Sequence, residues 1–129
     1  MNENNFINKV IGKPWKDRAC NFETMDCWGL VVLYYRHVLK KELHNIDGYE
    51  AGKDFISCYE QEKVRWNVSL TPVSGCLAVF YYGEKPAHVG VMVNNFKCLH
   101  SRGALGFVRL DNVVLLSKVY SKVEFLIHV

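Results

Sequence analysis

The sequence lacks the patterns that define several common classes of protein. Its five cysteines are odd in number and include no C-x-x-C pair, so neither a disulfide framework nor a zinc site is expected. Its longest apolar segment, Leu30 to Tyr35, is far too short to span a bilayer. The sequence also contains no internal repeat, low-complexity stretch or linker, and its 129 residues fit one domain.

Runs of like charge are also missing. The net charge is only +3, and the lysines and arginines are spread from Lys9 to Lys122, which argues against a nucleic-acid-binding surface. The first residues, MNENNFINKV, lack the charged and then apolar pattern of a secretory signal. We therefore expect a protein made in the cytoplasm without a signal peptide, which something else must carry to any site of action outside the cell.

The arrangement of apolar residues predicts helices in the first half of the chain and strands in the second. Asp26 is a suitable N-cap, and apolar residues then recur at helical spacing, which predicts a helix to about Leu43. A second helix is predicted over roughly Ala51 to Val64. After Pro72, short β-branched and aromatic runs alternate with turn residues. Helices followed by an antiparallel sheet indicate an α+β fold.

One cysteine occupies a position that can change its chemistry. Cys27, in the stretch DCWGL, would lie in the first turn of the predicted helix, where unpaired backbone N–H groups and the helix dipole favour the thiolate. The negative charge of Asp26 works against this effect. Position alone leaves two interpretations open, a buried structural cysteine and an activated nucleophile.

Two histidines in the later strands bear on this choice. In HVGVMV, His88 shares one strand face with Gly90, and the alternate valines form the other face. A three-residue loop, Asn94 to Phe96, would set His100 across from Gly90, so that both histidines share a face and Gly90 leaves open space between them. A two-residue turn would place the histidines on opposite faces. Either histidine taken alone is more simply a satisfied or solvent-facing residue.

Together these three side chains suit nucleophilic catalysis. Cys27 would attack a carbonyl carbon, and His88 would accept the thiol proton and later give it to the leaving amine. His100 would hold the His88 imidazole in the required tautomer and orientation. The backbone N–H of Cys27 is a candidate donor to the oxyanion that forms. No metal and no cofactor is expected.

The same residues carry a resemblance to a known family. The pieces DCWGLV, HVGVMV and FKCLHS resemble those of the NlpC-type cysteine peptidases, a branch of the papain-like fold. The resemblance spans about Phe6 to Leu110 and implies a single NlpC-type catalytic domain over residues 1–129, with N-terminal helices packed on an antiparallel sheet. It implies that Cys27 is the nucleophile, His88 the catalytic histidine and His100 the polar residue that orients it.

Two further features resemble a subset of the family found in tailed-phage tail-tip proteins and prophage cell-wall peptidases. They are Trp28, directly after the cysteine, and the upstream stretch IGKPW. Trp15 of that stretch stands where the family often has a tyrosine that helps the oxyanion site, and an indole N–H can donate a hydrogen bond. Trp15, Asp26 and Trp28 are therefore candidates for oxyanion or substrate contacts. Cys76 stands where an aspartate is common and is assigned to the core.

The resemblance implies hydrolysis of peptide bonds in bacterial peptidoglycan, commonly the bond between D-glutamate and a diamino acid. The expected partners are peptidoglycan stem peptides and phage tail proteins, and the expected location is the virion or the cell wall. Lys13, Lys16, Arg18 or Arg102 could pair with the free carboxylates of such substrates. Two alternatives remain open: a structural tail-assembly protein with little activity, and a thiol acyltransferase or amidase with a non-wall substrate.

Overall fold

The structure, a computed structural model, describes residues 1–43, 65–103 and 106–128. Within these ranges two helices precede the first strand, and a third helix lies between the last two strands. The helices are α1 (Glu3–Val10), α2 (Cys27–Tyr34) and α3 (Val113–Ser117), and α2 continues as a π-helical turn over Tyr35–Leu39. The strands are β1 (Trp66–Ser69), β2 (Leu77–Tyr82), β3 (Lys85–Met92), β4 (Lys97–Ser101), β5 (Val108–Asn112) and β6 (Lys122–His128).

These six strands form one antiparallel sheet in the order β1-β6-β2-β3-β4-β5. The central strands β2 to β5 follow one another in chain and in sheet, whereas β6 returns to lie between β1 and β2. Helices packed on a single antiparallel sheet confirm the predicted α+β fold. Within the described ranges, no helix is long and apolar enough to cross a membrane.

The sheet carries a core on each face. Every residue of α2 is buried, and this helix packs on one face against β3 valines such as Val89 and Val91. The opposite face carries a smaller apolar cluster around Phe80 and Met92, which α3 covers. Cys76 belongs to this second cluster, which confirms its assignment to the core. Both faces of β3 are therefore shielded from water, and any polar side chain on it must find a partner inside the protein.

The helix at Asp26 begins where the sequence predicts but ends earlier. Regular α-helical geometry stops at Tyr34, and the π-helical turn that follows is ended by Lys40. Lys40 adopts the left-handed conformation, with φ of 59°, which cannot continue a right-handed helix. The predicted end at Leu43 is therefore too late, and the second predicted helix, Ala51 to Val64, lies outside the described residues.

Candidate active site

A buried carboxylate holds the helix start that carries the cysteine. Asp26 is the N-cap of α2, and its side chain accepts hydrogen bonds from the backbone N–H of Gly29 at 2.8 Å and of Arg18 at 3.1 Å. Asp26 is fully buried, so these bonds are shielded from water. They fix the first turn of α2 and hence the position of Cys27.

A glycine in the same turn lets the upstream chain lie against the helix start. A Cβ atom at Gly29 would overlap the carbonyl oxygen of Ala19. That oxygen accepts a hydrogen bond from the N–H of Asp26 at 3.2 Å, and the Cys20 sulfur lies 3.5 Å from the Gly29 carbonyl oxygen. The glycine in DCWGL therefore serves close packing at the helix start, at a cost in helix propensity.

The sulfur of Cys27 is buried and reaches the sheet. Only 7% of the residue is exposed, and the backbone N–H groups of Val89 in β3, of Cys27 and of Trp28 each lower the pKa of its thiol. Burial raises the pKa of the Cys27 thiol to about 12 and the charge of Asp26 adds to this, while the three N–H groups lower it by less. The N–H groups at the helix start therefore favour the thiolate as expected, but burial outweighs them and favours the neutral thiol.

His88 lies in β3 directly before Val89, the residue whose N–H lowers the pKa of the Cys27 thiol. Its ring stacks on that of Tyr120, with centroids 5.9 Å apart and planes 12° from parallel. The Phe80 ring lies on the same imidazole, with centroids 5.7 Å apart. These aromatic contacts leave His88 only 5% exposed and restrict the rotation of its ring.

The two histidines share a face and touch. The predicted three-residue loop, Asn94 to Phe96, joins β3 to β4, and the residues that flank it are hydrogen-bonded to each other. The resulting register sets His100 across from Gly90 and diagonal to His88, which confirms the predicted pairing. Nε2 of His88 and Nδ1 of His100 are 2.9 Å apart, the distance of a hydrogen bond.

Gly90 does not leave open space between the histidines, which corrects the expectation from the sequence. A Cβ atom there would lie 2.5 Å from Sγ of Cys98, 2.8 Å from the carbonyl oxygen of Leu99 and 3.0 Å from Cβ of His100. The β4 strand fills the space itself. Glycine is needed at this position because β3 and β4 approach closely where His100 reaches His88.

A carboxylate that sequence reasoning missed extends this cluster. Oδ2 of Asp111 lies 2.7 Å from Nε2 of His100. In the β4–β5 ladder Asp111 pairs with Cys98 and Arg109 pairs with His100, so the four side chains share a face. Arg109 donates to both carboxylate oxygens of Asp111, at 3.1 and 3.2 Å. The alternation in VRLDN indicates that Arg109 and Asp111 share a face, but only the register with β4 brings them to His100.

Burial decides the charge of both histidines. It lowers the pKa of His88 well below the usual value, and the charges of His100 and Arg102 act in the same direction. Burial also lowers the pKa of His100, although the hydrogen bond and charge of Asp111 oppose it. For Asp111 burial works against ionisation, but hydrogen bonds from His100 and Arg109 prevail and lower its pKa. At pH 7 the cluster therefore consists of two neutral imidazoles and one carboxylate.

The structure corrects two of the three candidates for oxyanion or substrate contacts. Trp28 is fully buried in the core, so it presents no surface to a substrate. Asp26 accepts hydrogen bonds in the helix cap and has no donor to offer an oxyanion. Trp15 is half-buried, and its backbone N–H bonds the carbonyl oxygen of Gly106 at 3.0 Å, beside the segment that joins β4 to β5. The role of its indole stays a prediction.

An arginine lies next to the aromatic ring that covers His88. The Arg102 guanidinium is 5.6 Å from the centroid of the Tyr120 ring, a cation–π distance. Burial raises the pKa of Tyr120 to about 12, and Arg102 opposes this shift. Arg102 also lines a cleft of about 320 Å³ together with Arg109 and Asp111. This cleft therefore adjoins the carboxylate end of the histidine cluster and carries two cations.

The fold and this cluster define a class of protein. A buried thiol at a helix start, beside a strand whose histidine is held by further polar groups, is the arrangement of papain-like cysteine hydrolases. The family model described as "NlpC/P60 family" matches residues 12–124, and the chain therefore belongs to the NlpC/P60 family. Proteins of this family are cysteine peptidases that act on peptidoglycan.

A solved structure gives independent support for the fold. The chain is similar to the one described as "Crystal structure of NlpC/p60 domain of peptidoglycan hydrolase SagA", with a TM-score of 0.61 and 15% sequence identity. The similarity covers 97% of this chain and 94% of that chain. No curated relative matches the sequence. The predicted papain-like, NlpC-type fold is therefore confirmed.

Proposed function

We propose that the protein is a cysteine peptidase that hydrolyses peptide bonds in bacterial peptidoglycan, with Cys27 as nucleophile and His88 as base. One observation carries the proposal. His88 and His100 form a hydrogen-bonded pair at 2.9 Å, and the residue that follows His88 in β3, Val89, has an N–H that lowers the pKa of the Cys27 thiol. Membership of the NlpC/P60 family supports the same class of reaction.

The neutral thiol and neutral imidazole define the first chemical step. Because Nε2 of His88 is engaged with His100, Nδ1 is the nitrogen left to take the thiol proton. As that proton moves, the Cys27 sulfur attacks the carbonyl carbon of the substrate and forms a tetrahedral oxyanion. The backbone N–H of Cys27 at the start of α2 is the proposed donor to this oxyanion.

The same imidazole completes the reaction. His88 gives its proton to the leaving amine as the C–N bond breaks, which leaves the acyl group on Cys27 as a thioester. His88 then takes a proton from water while the water oxygen attacks the thioester carbon. The C–S bond breaks, the carboxylic acid leaves, and the sulfur recovers its proton from His88. His100 keeps the ring oriented through both halves of the cycle.

For the substrate, we propose the bond between D-glutamate and the diamino acid of the stem peptide. Such a peptide carries free carboxylates close to the bond that is cut, and these favour a nearby cation. Arg102 supplies one, because its guanidinium lies over the Tyr120 ring that stacks on His88. Arg18 suits this role less well, because its Nε lies 3.7 Å from the carboxylate of Asp17.

Digestion of purified sacculi tests the reaction and the bond. The parent protein should release muropeptides cut between D-glutamate and the diamino acid, identified by mass spectrometry, and Cys27→Ala should release none. Cys20→Ala is the matched control, because it removes a half-buried thiol that takes no part in the proposed chemistry. Release by folded Cys27→Ala at the parent rate would contradict the proposal.

We further propose that the protein acts from a phage or prophage tail. The support is the resemblance of Trp28 and the stretch IGKPW to tail-associated members of the family. Mass spectrometry of virions purified from a strain that carries the gene tests this proposal. Detection in the tail fraction is the expected result. Presence in the lysate together with absence from purified virions would contradict it.

The burial of Cys27 favours a second candidate, a structural tail-assembly protein with little activity. A sulfur with this degree of burial and a pKa near 12 is a poor nucleophile unless the base acts on it. Intact sacculi and intact isolated muropeptides after incubation with folded parent protein would favour this candidate. A thiol acyltransferase would instead be identified by an amide product when an amine acceptor is added.

A further inference from the structure

We propose that Asp111 is a positioning residue that fixes the tautomer of His100 and thereby leaves Nδ1 of His88 as the proton acceptor for Cys27. The inference rests on the proposed function. It adds a fourth member to the set of Cys27, His88 and His100, and it assigns each nitrogen of the two rings a role. The geometry behind it is a continuous chain of hydrogen bonds, 2.9 Å between the rings and 2.7 Å from His100 to the carboxylate.

Proton positions in this chain follow from what each group can donate. An ionised carboxylate only accepts, so the short contact to Asp111 requires the proton of neutral His100 to sit on Nε2. Nδ1 of His100 is then an acceptor, and its partner Nε2 of His88 must carry a proton. The remaining nitrogen of His88, Nδ1, therefore has a free lone pair.

Without the carboxylate, the two imidazoles could exchange these roles. A proton on Nδ1 of His100 would turn Nε2 of His88 into the acceptor and place the other proton on Nδ1 of His88. In that state His88 has no lone pair left for the thiol. Asp111 excludes this state because it would set two acceptors, its own oxygen and an unprotonated Nε2 of His100, 2.7 Å apart.

The fold keeps Asp111 ionised and in place. The β4–β5 register places it diagonal to His100 on the same face, and Arg109 donates to both of its oxygens. Its side chain is 29% exposed and lines the cleft that Arg102 shares, so the carboxylate keeps part of its hydration. When His88 takes the thiol proton, the new positive charge is stabilised through His100 by this carboxylate.

Nitrogen-15 NMR of the parent protein tests the tautomers without any reference to activity. Chemical shifts distinguish protonated from unprotonated ring nitrogens. We expect Nε2 of both His88 and His100 to be protonated and both Nδ1 atoms to be unprotonated at neutral pH. A protonated Nδ1 on His100 in the parent protein would overturn the inference. Because this measurement needs no substrate, it can succeed even if the hydrolysis assay contradicts the proposed function.

The variant Asp111→Asn tests the consequence for the reaction. It keeps the shape of the side chain but removes the charge that selects the tautomer. We expect kcat to fall by about 10- to 100-fold with little change in KM, and a new population with Nδ1 of His100 protonated. The exposed Glu23→Gln is the matched control for loss of one acidic charge and should keep the parent kcat.

Two results would overturn the inference at this step. One is a folded Asp111→Asn protein that keeps the parent kcat on muropeptides. The other is a loss of kcat without any change in the tautomers of His88 and His100, because a merely structural role would produce it. If Asp111→Asn does not fold, the spectrum of the parent protein decides the matter.

Discussion

Cys27 experiences opposing effects from its surroundings. Burial raises the pKa of its thiol to about 12 and the charge of Asp26 adds to this, whereas the N–H groups of α2 and of Val89 lower it. Burial prevails because a thiolate in the core loses its hydration, and three N–H groups replace only part of it. The proposed reaction would therefore begin from a neutral thiol and a neutral imidazole rather than from an ion pair.

Replacing Asp26 by asparagine separates the charge of this residue from its capping role. The amide oxygen can still accept from the N–H of Gly29, while the negative charge beside the sulfur is lost. We expect the pKa of the Cys27 thiol to fall in Asp26→Asn and alkylation of Cys27 by iodoacetamide to become faster at mildly alkaline pH. Mass spectrometry of the peptide that contains Cys27 gives the rate.

The comparison variant is Asp26→Ala, which removes the cap as well as the charge. Asp26→Ala should therefore lower the free energy of unfolding by about 0.5–2 kcal/mol more than Asp26→Asn does. Slower or unchanged alkylation in folded Asp26→Asn would contradict the assigned effect of the charge.

The residues of the site differ in how far the sequence predicts them. Cys27 could be singled out because it follows an N-cap, and the two histidines because each lies in a strand-like run. Asp111 could not, because its contact with His100 depends on which strands pair and in which register. The raised pKa of Cys27 also escaped prediction, since the spacing of residues does not report how deeply a side chain is buried.

At the scale of elements, the β3–β4 hairpin brings the histidines together. Its three-residue loop could be predicted because side chains alternate between the faces of a strand. A loop of three residues puts His88 and His100 on the same face, whereas a loop of two would put them on opposite faces. The end of the first long helix was not predictable in the same way. A left-handed lysine at residue 40 ends that helix, and nothing in its local sequence signals the change.

Asn94 should stabilise this hairpin through its side chain. Its Oδ1 accepts from the N–H of Phe96 at 2.9 Å and of Lys97 at 2.7 Å, which supports the loop. Asn94→Ala should lower the free energy of unfolding by about 1–2 kcal/mol in urea denaturation. The exposed neighbour Asn95 provides the control, and Asn95→Ala should change it by less than about 0.5 kcal/mol. Equal losses in the two variants would contradict the role given to Asn94.

Gly90→Ala should push apart β3 and β4, the two strands of the hairpin. The added methyl group would come within 2.8 Å of the Leu99 carbonyl oxygen and 3.0 Å of Cβ of His100, so β4 must shift. We expect a loss of about 1–3 kcal/mol in the free energy of unfolding, and altered nitrogen-15 shifts for both histidines. A variant with parent stability and unchanged imidazole shifts would show that the strands do not need this glycine.

At the scale of the whole molecule, the sheet separates two apolar clusters. The histidine pair lies on the side of the smaller one, whereas Cys27 belongs to the larger one. The charge of Cys27 nevertheless raises the pKa of Tyr120, whose ring stacks on His88, so the thiol lies near the histidine end of the site. The sequence predicts most of the strands because each is a short local run of β-branched and aromatic residues. It does not predict that β6 lies between β1 and β2. That arrangement depends on contacts between distant parts of the chain, which no local pattern encodes.

The buried histidines should make the stability of the whole protein depend on pH. Their pKa values are lowered in the folded state, against about 6.5 in the unfolded chain. Below about pH 6.5 the unfolded chain therefore binds protons that the folded state does not. The free energy of unfolding decreases as the pH is lowered through this range. The loss should reach up to about 1.4 kcal/mol per pH unit for each histidine, down to its folded-state pKa.

Urea denaturation at a series of pH values from neutral to mildly acidic measures this dependence. His88→Gln should show a smaller slope, because it removes one of the two groups. Asp111 contributes only at lower pH, since its folded-state pKa is lowered and its stabilising effect is lost as the pH falls through that value. A free energy of unfolding that stays constant below about pH 6.5 would show that the histidines are not buried as neutral groups.

The central claim is that the sulfur of Cys27 forms a covalent bond with the substrate after His88 removes its proton. Its most direct test is to quench the protein in acid during turnover of a muropeptide and to map any acyl group by tandem mass spectrometry. We predict a thioester on Cys27, and none in His88→Ala under the same conditions. Turnover with no acyl group on Cys27, or with the acyl group on another residue, would contradict this account.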